Sequence, residues 1–262
     1  MFGINVIVVV ETFIAFIFAV VIHEAAHAAA AALLGDTTLA ARRRLSLNPR
    51  RQLSAIGVIV AIAQAFNLYA GLGWGKTIEL DARRLRVGPN FGTILVALAG
   101  PVVNALLGIG VALGLTIIPG FNALGNATIL CGGSSPLPQG GILLQNCLSN
   151  LTTQSAVELR LEQFALIFAV TNILLAILNL VPLHPLDGYH ILFALLPNSQ
   201  AISYRNAAPY MELILLVLLF VVPYLAQLIR LPFLDPAQWL LTAAQSVAAS
   251  LTGNSILFYP VL

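Results

Sequence analysis

Charge is what this sequence has least of. Asp, Glu, Lys and Arg make up 8% of its 262 residues, against 59% hydrophobic residues and a mean hydropathy of +0.94. Soluble domains carry roughly 25% charged residues, so a water-soluble globular enzyme is excluded and the chain reads as an integral membrane protein. Short runs of alternating hydrophobicity are missing, which excludes a transmembrane barrel. No repeat with a period of 20 to 50 residues occurs, and Ala25 to Ala32 is the one low-complexity tract. The first apolar run lacks a basic start and continues past any small-residue cleavage site, so it is expected to be a retained helix and not a secretory signal. Lysine is nearly absent as well. One Lys stands against eleven Arg, a bias that fits a GC-rich prokaryotic genome.

What is present is a series of uncharged apolar segments near 4 to 34, 53 to 72, 91 to 118, 161 to 196, 211 to 229 and 237 to 252. They predict an all-α polytopic membrane protein, a bundle of about five to six apolar segments, with no room for an appended soluble domain. Nine of the twelve basic residues fall between Arg42 and Arg86. The excess of basic residues in cytoplasmic loops puts the end of the first helix inside and the N-terminus outside. Both flanks of 53 to 72 are basic, with Arg50 and Arg51 before it and Lys76, Arg83, Arg84 and Arg86 after it. That segment is therefore expected to dip into the membrane and return, as a re-entrant hairpin sheltered by the other helices.

An external loop at about 119 to 160 follows, rich in Gly, Pro, Ser and Asn, and it holds both cysteines, Cys131 and Cys147. A disulfide between them would close a loop worth on the order of 3 kcal/mol. The next helix ends in a stretch containing Pro182, Pro185 and Gly188, which cannot all sit in one regular helix, so a break is expected at membrane depth. Residues 1–196 are read as the functional core and 197–262 as C-terminal membrane helices.

Two ionisable clusters lie inside this apolar sequence, where charge is costly and marks function. The first is His23-Glu24-Ala25-Ala26-His27. Positions i and i+4 share a helix face, so both imidazoles can meet one tetrahedral cation while Glu24 handles the proton of a water held there. If the helix ends near Leu34, the pair lies about 13 Å inside the cytoplasmic end. A catalytic zinc takes three protein ligands, and the candidates for the third are His184, Asp187 and His190, near the expected break. Asp187 is preferred, because a carboxylate is compact and Gly188 behind it permits an unusual turn. His184 and His190, and also Asn104, are then groups that surround the ligands.

These residues resemble the site-2 protease family of intramembrane zinc metalloproteases, in its compact form without a PDZ or CBS domain. The resemblance rests on His23-Glu-Ala-Ala-His27, on Ala99-Gly100-Pro101-Val-Val-Asn104 at the opening of the third segment, and on Asn179-Leu-Val-Pro-Leu-His-Pro-Leu-Asp187-Gly188. Leu47-Asn48-Pro49 and Gly73-Trp74-Gly75-Lys76 add weaker support, and together the motifs cover about residues 15 to 195. The resemblance implies that His23, His27 and Asp187 bind one catalytic zinc ion, that Glu24 is the general base, and that Asn179 holds the substrate or its developing oxyanion. It implies that the basic stretch after the first helix forms a membrane-associated hairpin that receives an extended substrate strand. His184 departs from the pattern, which more often has a proline or small residue there. The expected function is hydrolysis of peptide bonds in or near transmembrane segments, with transmembrane proteins and the lipid bilayer as partners and no nucleic acid. Two alternatives are a zinc-binding membrane protein that binds transmembrane segments without cutting them, and a metal transporter. The intact Glu24 counts against the first, and the concentration of polar groups on one side counts against the second.

Overall fold

Apolar runs that must satisfy their own backbone hydrogen bonds in lipid form helices, and a computed structural model shows them. It describes residues 6–36, 38, 45–68, 70–76, 80–117 and 156–252. Cys131 and Cys147 lie outside the described residues, as does most of the loop that holds them.

Helix α1 spans Val6–Leu34, α2 Ala55–Leu68, α3 Pro89–Thr116 and α4 Ala156–Asn179. After a break come α5 (Asp187–Leu195), α6 (Asn198–Asn206), α7 (Ala208–Leu228, with a π-helical turn at Val217–Val221) and α8 (Pro236–Thr252). Helices α1, α3 and α7 and the Arg160–Asn179 part of α4 are long and apolar enough to cross a membrane. The protein is therefore a polytopic all-α bundle.

Three of these helices, α1, α3 and α4, pack on one another, and α8 lies along α3 and α4. Lipid tails are as apolar as leucine, so close packing has to bring the helices together. Small residues provide it. Ala15 and Ala19 of α1 and Ala169 of α4 are fully buried, and Gly108 of α3 sits so close to Ala169 O and Ile173 that a Cβ there would collide. Large apolar side chains such as Leu33 and Leu106 point outward, as a lipid-facing surface requires.

The ends of α1 and α3 are tied together. Gly35, at φ +116°, ends α1 with an Asp36 N–H to Ala31 O bond of 2.9 Å. That φ lies in the left-handed region that glycine tolerates best. Arg86 N–H donates to Leu34 O (2.8 Å), and Asp36 accepts from the Thr38 and Asp81 N–H groups. Burial acts to raise the Asp36 pKa, but these hydrogen bonds and the Arg84 charge outweigh it and hold the carboxyl below its ordinary value.

Where a re-entrant segment was expected, the chain forms a hairpin. Helix α2 has 14 residues, about 21 Å, which is short of the roughly 30 Å hydrocarbon core. Past α2 the chain turns back, and residues 70 to 76 run without helical structure to an antiparallel bridge between Leu53 and Gly75, next to a Lys76 N–H to Gln52 O bond of 2.8 Å. The return strand is wedged tightly: added Cβ atoms would strike Trp74 backbone at Gly57, Thr171 at Gly71 and Phe16 at Gly73. The far half of the hairpin is anchored on α7. Pro223 has no N–H to give the Leu219 carbonyl, and Gln64 Nε2 donates to that oxygen instead at 2.7 Å.

The break expected within the apolar stretch 161 to 196 is present, and it separates α4 from α5 at Pro182 and Pro185. Two expectations need correction. Helix α4 begins earlier, at Ala156. The Ala99-Gly100-Pro101 motif is not at the opening of its segment but midway along α3, since the helix starts at Pro89 and continues through Pro101.

Single cysteines at Arg50 and Lys76, in a chain with Cys131 and Cys147 changed to Ser, are expected to react with an impermeant thiol reagent from the same side of sealed vesicles. Labelling from opposite sides would contradict the hairpin.

Candidate metal centre

Helix α1 carries His23 and His27 on one buried face, with Glu24 beside them, all three at most 5% exposed. Their partner arrives through the break after α4. Residues 180 to 186 form a chain of tight turns, including a cis His184–Pro185 peptide, and Asp187 is the first residue of α5. Gly188 has a reason different from the one expected. It lies inside α5, and a Cβ there would strike the Leu180 and Val181 carbonyls, so glycine lets α5 abut the end of α4. Tyr204 of α6 supports the break, donating its hydroxyl to Pro182 O at 2.6 Å and stacking on Tyr189.

The result is a convergence of three side chains. His23 Nε2 lies 3.0 Å from Asp187 Oδ2, His27 Nε2 lies 3.2 Å from Asp187 Oδ1, and the two Nε2 atoms are 2.9 Å apart. Among the described residues this is the one group of three or more His, Cys, Asp or Glu whose ligand atoms all fall within 4.8 Å. His27 Nδ1 is 2.7 Å from Val96 O on α3. A carbonyl only accepts, so Nδ1 is the protonated nitrogen, and in the neutral ring Nε2 presents a lone pair. That lone pair faces a carboxylate and a second imidazole nitrogen. A metal cation can take all three donors at once, and two imidazoles with one carboxylate form a zinc donor set with a position left for water. The residues fit the metal.

Glycines make room for the cluster. At Gly100 of α3 a Cβ would overlap both imidazoles, and at Gly75 of the return strand it would overlap the Glu24 carboxylate. Thus the hairpin backbone touches the expected base directly. Val96, Gly100 and Gly75 were missed as site residues. The two glycines stand in the quoted motifs, whereas a backbone carbonyl such as that of Val96 leaves no mark in side-chain identity.

The other expected residues divide. Asn179 is buried at the end of α4, and one of its amide hydrogens is used on Leu175 O (2.9 Å), which leaves the second N–H and the amide oxygen available. Asn104 is fully buried on α3. His184 and His190 do not join the ligand group and flank Tyr189, with ring centroids 5.3 and 5.2 Å from it.

The family model described as "Peptidase family M50" matches residues 11–222. The protein named "Putative zinc metalloprotease YwhC" of Bacillus subtilis (strain 168) is 32% identical over 201 residues, covering 77% of this chain and 75% of that one. No solved structure matches the chain.

Gly100→Ala is expected to weaken zinc binding by about tenfold or more, since overpacking a filled site costs about 1–3 kcal/mol. Chelator competition on the purified protein measures this, and wild-type affinity would contradict the packing described.

Proposed function

The chain belongs to peptidase family M50, and from that premise we propose that it is an intramembrane zinc metalloprotease that hydrolyses peptide bonds within or near transmembrane segments of other membrane proteins. That it is a metallopeptidase and an integral membrane protein follows from the family, the relative and the apolar helices. The finer reading rests on one observation above all: His23, His27 and Asp187 converge inside a bundle of membrane-length helices, with Glu24 alongside.

In this reading His23, His27 and Asp187 hold the metal. When bound there, zinc supplies Lewis acidity to a water molecule and to the scissile carbonyl. The remaining chemistry belongs to the protein. Glu24 takes a proton from the attacking water as the water oxygen bonds to the carbonyl carbon, then delivers it to the amine nitrogen as the C–N bond breaks. Asn179 has an N–H to spare for the oxygen that becomes negative, a kind of donation worth about 3 kcal/mol in other proteases. His27 stays in register because its Nδ1 proton is held by Val96 O.

A helical substrate hides its carbonyls, so it has to unwind before it can be cut. Residues 70 to 76 offer a place for the extended form. They run past Glu24 at Gly75 and carry one antiparallel bridge, to Leu53. A substrate strand added to the other edge would lie against the base. The arginine-rich stretch from Arg42 to Arg86 puts the hairpin and the end of α1 on the cytoplasmic side, with the N-terminus outside and the cut nearer the cytoplasm.

Glu24→Gln is expected to retain one zinc per chain while lowering turnover of a model transmembrane substrate by about a hundredfold or more. A chelator should abolish wild-type cleavage, and added zinc should restore it. Unchanged turnover in Glu24→Gln would remove Glu24 from the proton-transfer role. Zinc binding without any cleavage by the wild type would favour a protein that binds transmembrane segments without cutting them.

A further inference from the structure

Asn104 is fully buried on α3, and neither its amide nitrogen nor its amide oxygen has a hydrogen-bond partner. Within an apolar bundle, that is a costly state for a side chain able to make several hydrogen bonds. Nδ1 of His23 is also buried, and it faces the Gly100 backbone without reaching hydrogen-bond geometry.

The register of α1 and α3 relates these two orphans. The helices run antiparallel, with Leu34 beside Arg86, His27 bonded to Val96, and the two imidazoles against Gly100. Val96, Gly100 and Asn104 follow at intervals of four, so Asn104 lies about 6 Å beyond Gly100 along α3 and about 40° around it. Helical side chains lean toward their own N-terminus. In an antiparallel pair Asn104 therefore leans back toward Gly100, while His23 leans outward toward the level of Asn104. The His23 ring is set accordingly. Its Cε1, which lies between the two nitrogens, is against Gly100, and its Nε2 is turned to His27 and Asp187. Nδ1 is left on the side of α3.

We infer that the Asn104 amide oxygen holds the Nδ1 proton of His23 through one bridging water, since the two atoms make no direct hydrogen bond. Asn104 thereby fixes the tautomer in which the Nε2 lone pair of His23 faces Asp187 and His27. The inference rests on the reading of His23 as a metal ligand. It makes α3 the orienting helix for both imidazoles, through a backbone carbonyl for His27 and a side chain for His23. Partners of this kind that hold a ligating imidazole commonly change metal affinity by about 10- to 100-fold when removed.

The test is zinc affinity of the full-length protein in detergent, measured by competition with a chromophoric chelator, and the visible spectrum of its cobalt(II) form. Asn104→Leu removes the acceptor at similar volume and is expected to weaken zinc by about 10- to 100-fold and to alter the cobalt bands, with the melting temperature of the zinc-free protein at or above wild type. Asn104→Asp keeps the acceptor and is expected to hold zinc within a few-fold of wild type. If Asn104→Leu does not accumulate, Asn104→Thr against Asn104→Val makes the same comparison, with Thr expected to bind the tighter. Equal affinity in wild type and Asn104→Leu, or in Thr and Val, would overturn the inference and leave the Gly100 carbonyl as the acceptor. A wild-type protein that binds no zinc would instead overturn the metal reading itself.

Discussion

Two imidazoles and a carboxylate that present lone pairs to one point repel one another unless a cation stands among them. The rest of the structure is arranged around that constraint. His27 is turned by Val96 O, so in the neutral ring its Nε2 directs a lone pair at the cluster. The break at 180 to 186 serves chiefly to deliver Asp187 to the α1 face, and Gly188 lets the delivering helix lie against the carbonyls that end α4. Gly100 has no side chain because the imidazoles occupy that space. Each feature costs the bundle regularity, and each is explained by holding three ligand atoms within 4.8 Å.

Lipid imposes the second constraint, since it offers backbone groups no hydrogen bonds. Among the described residues, two irregularities besides the break at 180 to 186 are sheltered. The return strand of the hairpin is packed between α1, α2 and α4, where Phe16, Gly57 and Thr171 enclose it. Leu219 O, freed by Pro223, is taken up by Gln64 of α2. That bond also connects the hairpin to α7, so the strand beside Glu24 and the C-terminal part of the bundle are mechanically linked. The strand at 70 to 76 is an extended segment beside Glu24 within a largely helical bundle.

Much of this was legible in the sequence. The apolar segments gave the helical class, and the arginines on both sides of 53 to 72 gave the hairpin, because a basic stretch cannot easily be left on both faces of a membrane. The i, i+4 spacing put His23 and His27 on one face. Asp187, and not His184 or His190, lies beside His23 and His27, but the argument from an unusual turn at Gly188 fails: the glycine is helical and its role is close approach. What could not be read was contact between distant segments. Val96 acts through its carbonyl, Gly75 and Gly100 through the absence of a side chain, and Gln64 through a vacancy created by a proline far along the chain. The break between α4 and α5 was legible, because Pro182 and Pro185 cannot both sit in one regular helix.

Zinc-edge X-ray absorption on the purified full-length protein tests the central claim most directly. One zinc per chain with two imidazole scatterers and oxygen neighbours at about 2.0–2.1 Å is the expected result, and Asp187→Ala should lose zinc or an oxygen neighbour while keeping both imidazoles. A protein without zinc, or an Asp187→Ala variant whose spectrum and metal content match the wild type, would contradict the account.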